Sequence, residues 1–226
     1  MLEENQFKYS SKVLNIPLLV LFTMWFVYWC EYKFEINLSH FGVFPRDLIG
    51  LRGVLLSPFI HSGIKHLFNN SIPISIFVGM LFYFYEEISW RVLLLGGFFT
   101  GILTWLIGVS AYHIGMSGIV YLLFSFIFFS GVIRKHFRLI SVSLIVIFLY
   151  GSMFWYVFPI EEGISWEGHL SGLIVGLGLA IYYRKHGPQK IEHKFEKTDF
   201  DLLFDENGNF SPQKEEEGDV LEDKVN

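Results

Sequence analysis

One cysteine, Cys30, stands among the 226 residues, so no intrachain disulfide is possible and no cysteine cluster exists to hold a metal. Charge is scarce as well. Only 17% of residues are charged, against 52% hydrophobic and 19% aromatic, and the mean hydropathy is +0.44. A soluble domain does not carry that apolar share, and the composition reads as a polytopic all-α membrane protein. A secretory leader pattern is also missing: "MLEENQFKYSSKVLN" has acidic residues before the first apolar run, and no small-residue cleavage site follows it. That run is expected to stay as an anchor.

The net charge of −5 comes largely from the acidic stretch within 185–226. Its carboxylates crowd and its apolar residues thin out, so it cannot bury enough surface to offset chain entropy. It reads as a disordered cytoplasmic tail. Phe195, Phe200, Leu202, Leu203 and Phe204 offer the competing reading of a short partner-binding or interfacial turn.

A spanning helix needs about 20 mostly apolar residues. Six runs approach that length: 14–32, 65–84, 90–110, 117–133, 139–158 and 169–183. The predicted organisation is a cytoplasmic N-terminus at 1–13, a six-helix core over 14–184 and the tail at 185–226. A long first loop, 33–63, separates the first two runs. Basic residues set orientation. "YEEISWR", "RKHFR" and "YYRKHGPQK" flank one side, whereas "VSAYHIG" and "PIEEGISWEG" on the other carry no Lys or Arg. Lys33, Arg46, Arg52 and Lys65 count for the outer side, yet the cytoplasmic side still prevails, with both termini on it. The second, fourth and sixth runs then all begin near the outer face.

Polar residues within spans are costly and invite a functional hypothesis. They cluster in "HSGIKHLFNN", "GMSGIVY" and "GHLSGLIVG", each at the start of one of those three runs. His66 and Asn70, four apart, share a helix face. His61 and His66, five apart, would point about 140° away from each other on a helix, which disfavours a two-histidine metal site. The plain alternative for His66 and Asn70 is interhelical glue.

Ser117 falls in the first turn of its run, where backbone N–H groups lack helical acceptors and the helix dipole favours developing negative charge. Gly115 and Gly118 leave room beside it, and Tyr121 lies one turn on. His169 precedes Gly172 and Gly176, a Gly-x-x-x-Gly pattern that permits close helix approach. A serine on a neighbouring helix needs such approach, because its Oγ must come within about 3 Å of a base nitrogen. The three runs contain no Asp or Glu to orient the histidine, so a Ser/His dyad is the sharper reading than a triad. Glu161, Glu162 and Glu167, in the preceding loop, are expected to be solvated, and Phe158 and Trp166 to mark the membrane interface.

Taken together, His-x4-His-x3-Asn, Gly-x-Ser-Gly with Tyr four residues after the serine, and His-x2-Gly-x3-Gly resemble the rhomboid family of intramembrane serine proteases. The resemblance implies Ser117 as nucleophile, His169 as general base and then acid, and an oxyanion hole from His66, Asn70 and the Ser117 N–H. It implies Tyr121 beneath the histidine ring, Gly118, Gly172 and Gly176 at the helix contact, and a structural role for His61. The loop 33–63 looks like the family's membrane-embedded lateral loop, although Arg52 is displaced by about one position and follows Leu51 rather than a Trp. Expected partners are single-span or multi-span membrane-protein substrates and the bilayer, with no nucleic acid, cofactor or metal. The expected location is a bacterial plasma membrane, because the core carries no extra seventh span or presequence. A protease-dead escort would have lost a dyad member, and a transporter would carry polar residues further down its helices or an internal repeat.

Overall fold

The computed structural model describes residues 9–135, 137–149, 155–159, 163–187, 200–205 and 208–211. Its helices are α1 (Lys12–Phe34), the single turn α2 (Gly53–Leu56), α3 (Ile64–Phe84), α4 (Ser89–Ile107), α5 (Ser117–Arg134), α6 (Phe137–Leu149) and α7 (Trp166–Tyr182). Four of them, α1, α3, α4 and α5, are long and apolar enough to cross a membrane, while α6 and α7 are shorter. The chain is a helical integral membrane protein.

The helices α3, α5 and α7 run side by side in one direction, as two ends of contact establish. At their starts Ser117 bonds His169. At their far ends the Arg134 guanidinium donates to the Tyr183 carbonyl at 2.6 Å and lies over the Tyr85 ring at 5.5 Å. A cation there satisfies carbonyls that a helix C-terminus leaves open and complements its dipole. The α5–α7 pair is the most extensive contact in the fold. Leu67, Phe77, Leu81, Leu122 and Phe126, all fully buried, fill the space around it. Because lipid is as apolar as leucine, such helices are held by close packing rather than by escape from water. Polar side chains in α3 bond back to their own helix, Ser71 to the Leu67 carbonyl at 2.8 Å and Ser75 to that of Ser71 at 2.6 Å.

The outer helix α1 packs on α3 and leaves Phe22, Phe26 and Trp29 exposed in a ladder of stacked rings. Trp25 reaches inward, donating from Nε1 to Ser71 Oγ at 3.1 Å.

Between α1 and α3 the chain is a series of short turns braced against the far end of α4. Arg46 donates to the Leu106 and Gly108 carbonyls at 3.3 and 2.8 Å, Trp105 Nε1 donates to Asp47 O at 2.8 Å, and Val43 pairs with His113 through two main-chain bonds. Arg52 serves the turn itself, with its guanidinium bonded to His40 O and stacked over Phe41.

The expected run 139–158 does not form one helix across its described residues. Helix α6 spans Phe137–Leu149, and 155–157 form a 3-10 turn followed by a bend at Phe158 and Pro159. The residue before a proline is pushed away from helical geometry, and the β-branched and aromatic Trp155–Val157 segment has little helical preference of its own. The segment 191–226 forms a separate unit. Within it Asp201–Leu203 make a 3-10 turn, and Phe204 bridges to Phe210. Phe195 and most of the acidic stretch lie outside the described residues.

Candidate active site

Ser117 is the first residue of α5, and its N–H is therefore among the donors without an intrahelical acceptor. His169 lies in the first turn of α7, which begins at Trp166 rather than at the histidine. The two side chains meet: His169 Nε2 is 2.8 Å from Ser117 Oγ. On its other side His169 Nδ1 is 2.7 Å from the carbonyl oxygen of Tyr156. A carbonyl only accepts, so Nδ1 carries the hydrogen and Nε2 presents the lone pair to the serine hydroxyl. The ring is 5% exposed, and Tyr121 stacks on its face with centroids 4.3 Å apart and planes at 16°.

Glycines make the encounter possible. A Cβ on Gly172 would lie 2.2 Å from Gly118 O, and one on Gly176 2.3 Å from Leu122 O, so no side chain fits at either position. Ser125 then donates from α5 to the Leu173 carbonyl of α7 at 2.6 Å. Gly115, at φ +107°, turns the chain into α5, and a Cβ there would strike the His66 ring at 2.7 Å.

His66 is thus brought against the segment leading into Ser117, with Ser62 Oγ 3.2 Å from its Nδ1. Asn70, buried one turn along, donates one amide hydrogen to His66 O at 3.0 Å and has a second to give. The expected divergence of His61 and His66 does not occur, because His61 precedes α3 and is not governed by its periodicity. Their rings meet edge to face with centroids 5.0 Å apart. His61 Nε2 accepts the Met116 N–H at 3.4 Å, and its Nδ1 is 3.3 Å from Phe59 O. Burial first, and then the neighbouring His66, pushes its pKa down to about 4.

A pocket of about 40 Å³ opens beside Ser117 and Gly118, bounded by Val54, Thr100, Gly101 and His113 among others. By the space one water needs, it holds a few.

Glu167 is not solvated as expected. It is 1% exposed and accepts the Val109 N–H at 3.1 Å. Glu161 and Glu162 lie outside the described residues. Phe158 is exposed and Trp166 partly buried. Three partners in and beside the site went unread in the sequence. The Tyr156 carbonyl has no residue signature. His113 has none either, whereas Ser165 had one, since a serine N-cap followed by an acid in the first turn, here Glu167, marks a helix start.

This is a helical membrane protein with a serine and a histidine bonded at the ends of two tightly packed helices. Residues 50–186 match the Rhomboid domain, and the chain belongs to that family. Uncharacterized proteins of Mycobacterium tuberculosis and Mycobacterium bovis are each 32% identical to it over 154 residues, 60% of this chain and 60% of theirs. Another from Mycobacterium leprae is 32% identical over 139 residues, 56% of this chain and 54% of its own. The chain thus spans about 60% of the length of the first curated relatives it matches.

Proposed function

We propose that the protein is an intramembrane serine endopeptidase that hydrolyses peptide bonds in or near the transmembrane segments of membrane-protein substrates. The observation that carries this reading is the 2.8 Å contact of Ser117 Oγ with His169 Nε2, with the opposite ring nitrogen tied to Tyr156 O. Ser117 attacks the scissile carbonyl as His169 takes its proton, and His169 then returns that proton to the leaving amine. The Ser117 N–H, the second Asn70 amide hydrogen and His66 stabilise the oxyanion, aided by the α5 dipole. Water then releases the acyl enzyme, and the pocket beside Ser117 gives it room. Tyr121 supports the ring, while Gly115, Gly118, Gly172 and Gly176 hold the backbones close.

In this reading α6 and α7 complete six spans. The turns between α1 and α3, which expose Leu48, Ile49 and Leu55, form a lateral loop in the bilayer. Arg91 at the start of α4, Arg134 and Lys135 at the end of α5, and Arg184 and Lys185 after α7 share the end away from Ser117, which supports a site near the outer face and cytoplasmic termini. A bacterial plasma membrane fits that arrangement.

The test is incubation of purified wild type and Ser117→Ala with a fluorophosphonate probe and a panel of single-span substrates. Wild type is expected to be labelled and to cleave, and Ser117→Ala to do neither. A folded wild type inert to both defeats the protease reading, and cleavage by Ser117→Ala removes the serine from its role.

A further inference from the structure

A closed circuit of hydrogen bonds joins the loop before α5 to the first turn of α7. Val109 N–H donates to Glu167 Oε1 at 3.1 Å, while Val109 O is 3.0 Å from His113 Nε2. His113 Nδ1 is 2.6 Å from Ser165 Oγ, which in turn accepts the Gly168 N–H at 3.3 Å. Ser165, Glu167 and Gly168 belong to one helix start, so the circuit closes through the α7 backbone. The carbonyl of Val109 only accepts, which puts the hydrogen of the neutral imidazole on Nε2. Ser165 O–H therefore donates to Nδ1. Its central members His113 and Glu167 are buried, where an unmade bond is costly.

The position of this circuit gives it a consequence for chemistry. His113 is held on its backbone side as well, by two 2.9 Å bonds to Val43. From it the chain reaches Ser117 in four residues, pinned on the way by Gly115 N–H to Ser57 O and Met116 N–H to His61. From Ser165 the chain reaches His169 in one helical turn, and Ser165 O accepts the His169 N–H. The His113–Ser165 contact is thus a second tie between the two segments whose ends must hold a 2.8 Å contact.

We infer that His113, acting through Ser165, is a positioning residue for the hydrolysis proposed above, on which this inference rests. It fixes the start of α7, and with it His169 Nε2, in register with Ser117 Oγ. A displacement of about 1 Å between reacting groups costs on the order of 100-fold in rate. Because the circuit acts on the dyad, its loss reaches every reaction of Ser117, whatever the size of the reagent. A ring that merely touched substrate would act on substrate affinity instead.

The experiment uses the purified full chain in detergent. For wild type, His113→Phe, Ser165→Ala, Ser165→Thr and the His113→Phe/Ser165→Ala double variant, it measures kcat and KM on a cleaved single-span substrate, the fluorophosphonate labelling rate and the melting temperature. His113→Phe and Ser165→Ala are each expected to lower kcat and labelling together by about 10 to 100-fold with KM within about twofold. Ser165→Thr, which keeps the Oγ, is expected within about threefold of wild type. The double variant should be no worse than the poorer single one, as for members of one network. If His113→Phe does not fold, the Ser165 pair carries the test alone. Wild-type kcat and labelling in the single variants, an effect confined to KM, or Ser165→Thr as impaired as Ser165→Ala overturns the inference while leaving the protease reading intact. An inert wild type defeats that reading itself.

Discussion

His169 gives its Nδ1 hydrogen to the main-chain oxygen of Tyr156, 2.7 Å away, while its Nε2 faces Ser117 Oγ. A carboxylate in that position fixes the tautomer and also offsets the charge of the imidazolium; a carbonyl does the first with only a dipole for the second. The orienting group is backbone, so the Tyr156 hydroxyl is dispensable to it. Tyr156→Phe is expected to keep kcat within about threefold of wild type, and His169→Ala to lose at least about a thousandfold, read on a single-span substrate. A Tyr156→Phe enzyme as dead as His169→Ala would mean that the side chain, not the carbonyl, serves the histidine.

Stacking of Tyr121 on His169, 4.3 Å between centroids, leaves the ring little freedom to leave its plane. Tyr121→Phe retains the aromatic face and Tyr121→Ala removes it, opening a void in a buried site. The alanine variant should lose about tenfold or more in kcat beyond the phenylalanine variant. Equal rates for the two would separate the stack from catalysis.

How far the site was readable differs residue by residue. His66 and Asn70 share a face because helical periodicity is a property of sequence, and Gly172 and Gly176 announce close approach because their spacing matches the helix contact row. The same periodicity misled at His61, since the chain there has not yet become helix and its ring turns back toward His66. Tyr156 O was invisible, because a carbonyl is present in every residue and only the break in the expected run 139–158 aims this one at His169. Glu167 was misjudged through the helix boundary. With Ser165 as N-cap, it falls in the buried first turn of α7 rather than in a solvated loop. The six-run pattern located the bundle, and the structure describes four helices of full spanning length within it.

Gly172 gives the sharpest packing prediction. A methyl group there would lie 2.2 Å from Gly118 O and 2.9 Å from Leu122 N, atoms of a helix backbone that cannot yield independently. Gly172→Ala therefore separates α5 from α7 and with them Ser117 from His169. The expected result is destabilisation of about 1 to 3 kcal/mol and a loss of cleavage greater than the folded fraction accounts for. Gly178, whose Cβ would meet nothing within 4 Å on the same helix, is the control: Gly178→Ala should leave both measurements near wild type. Identical behaviour of the two variants would remove backbone proximity as the reason for the glycines.

Asn70 has one amide hydrogen committed to His66 O and a second to offer. In the proposed reaction that second hydrogen goes to the oxyanion, an interaction made in the transition state more than in the bound substrate. Asn70→Ala should lower kcat by about 10 to 1000-fold with little change in KM. An unchanged kcat takes it out of the site.

His61 makes the fold sensitive to acid in a definite window. Its Nε2 accepts the Met116 N–H just before Ser117, a bond that only the neutral ring accepts, and burial holds its pKa at about 4 against 6.5 for the free side chain. Between those values the unfolded chain binds the proton and the folded chain does not. This contribution to stability is thus fully present above about pH 6.5, falls as the pH drops, and is gone below about 4. Its size is on the order of 3 kcal/mol by the pKa difference. His61→Phe removes both the acceptor and the titration. The difference in unfolding free energy between wild type and His61→Phe, measured in detergent, should be greatest near neutral pH and shrink as the pH is lowered through the window from 6.5 to 4. A difference that stays constant across that window would mean that the Met116 bond does not depend on the charge of His61.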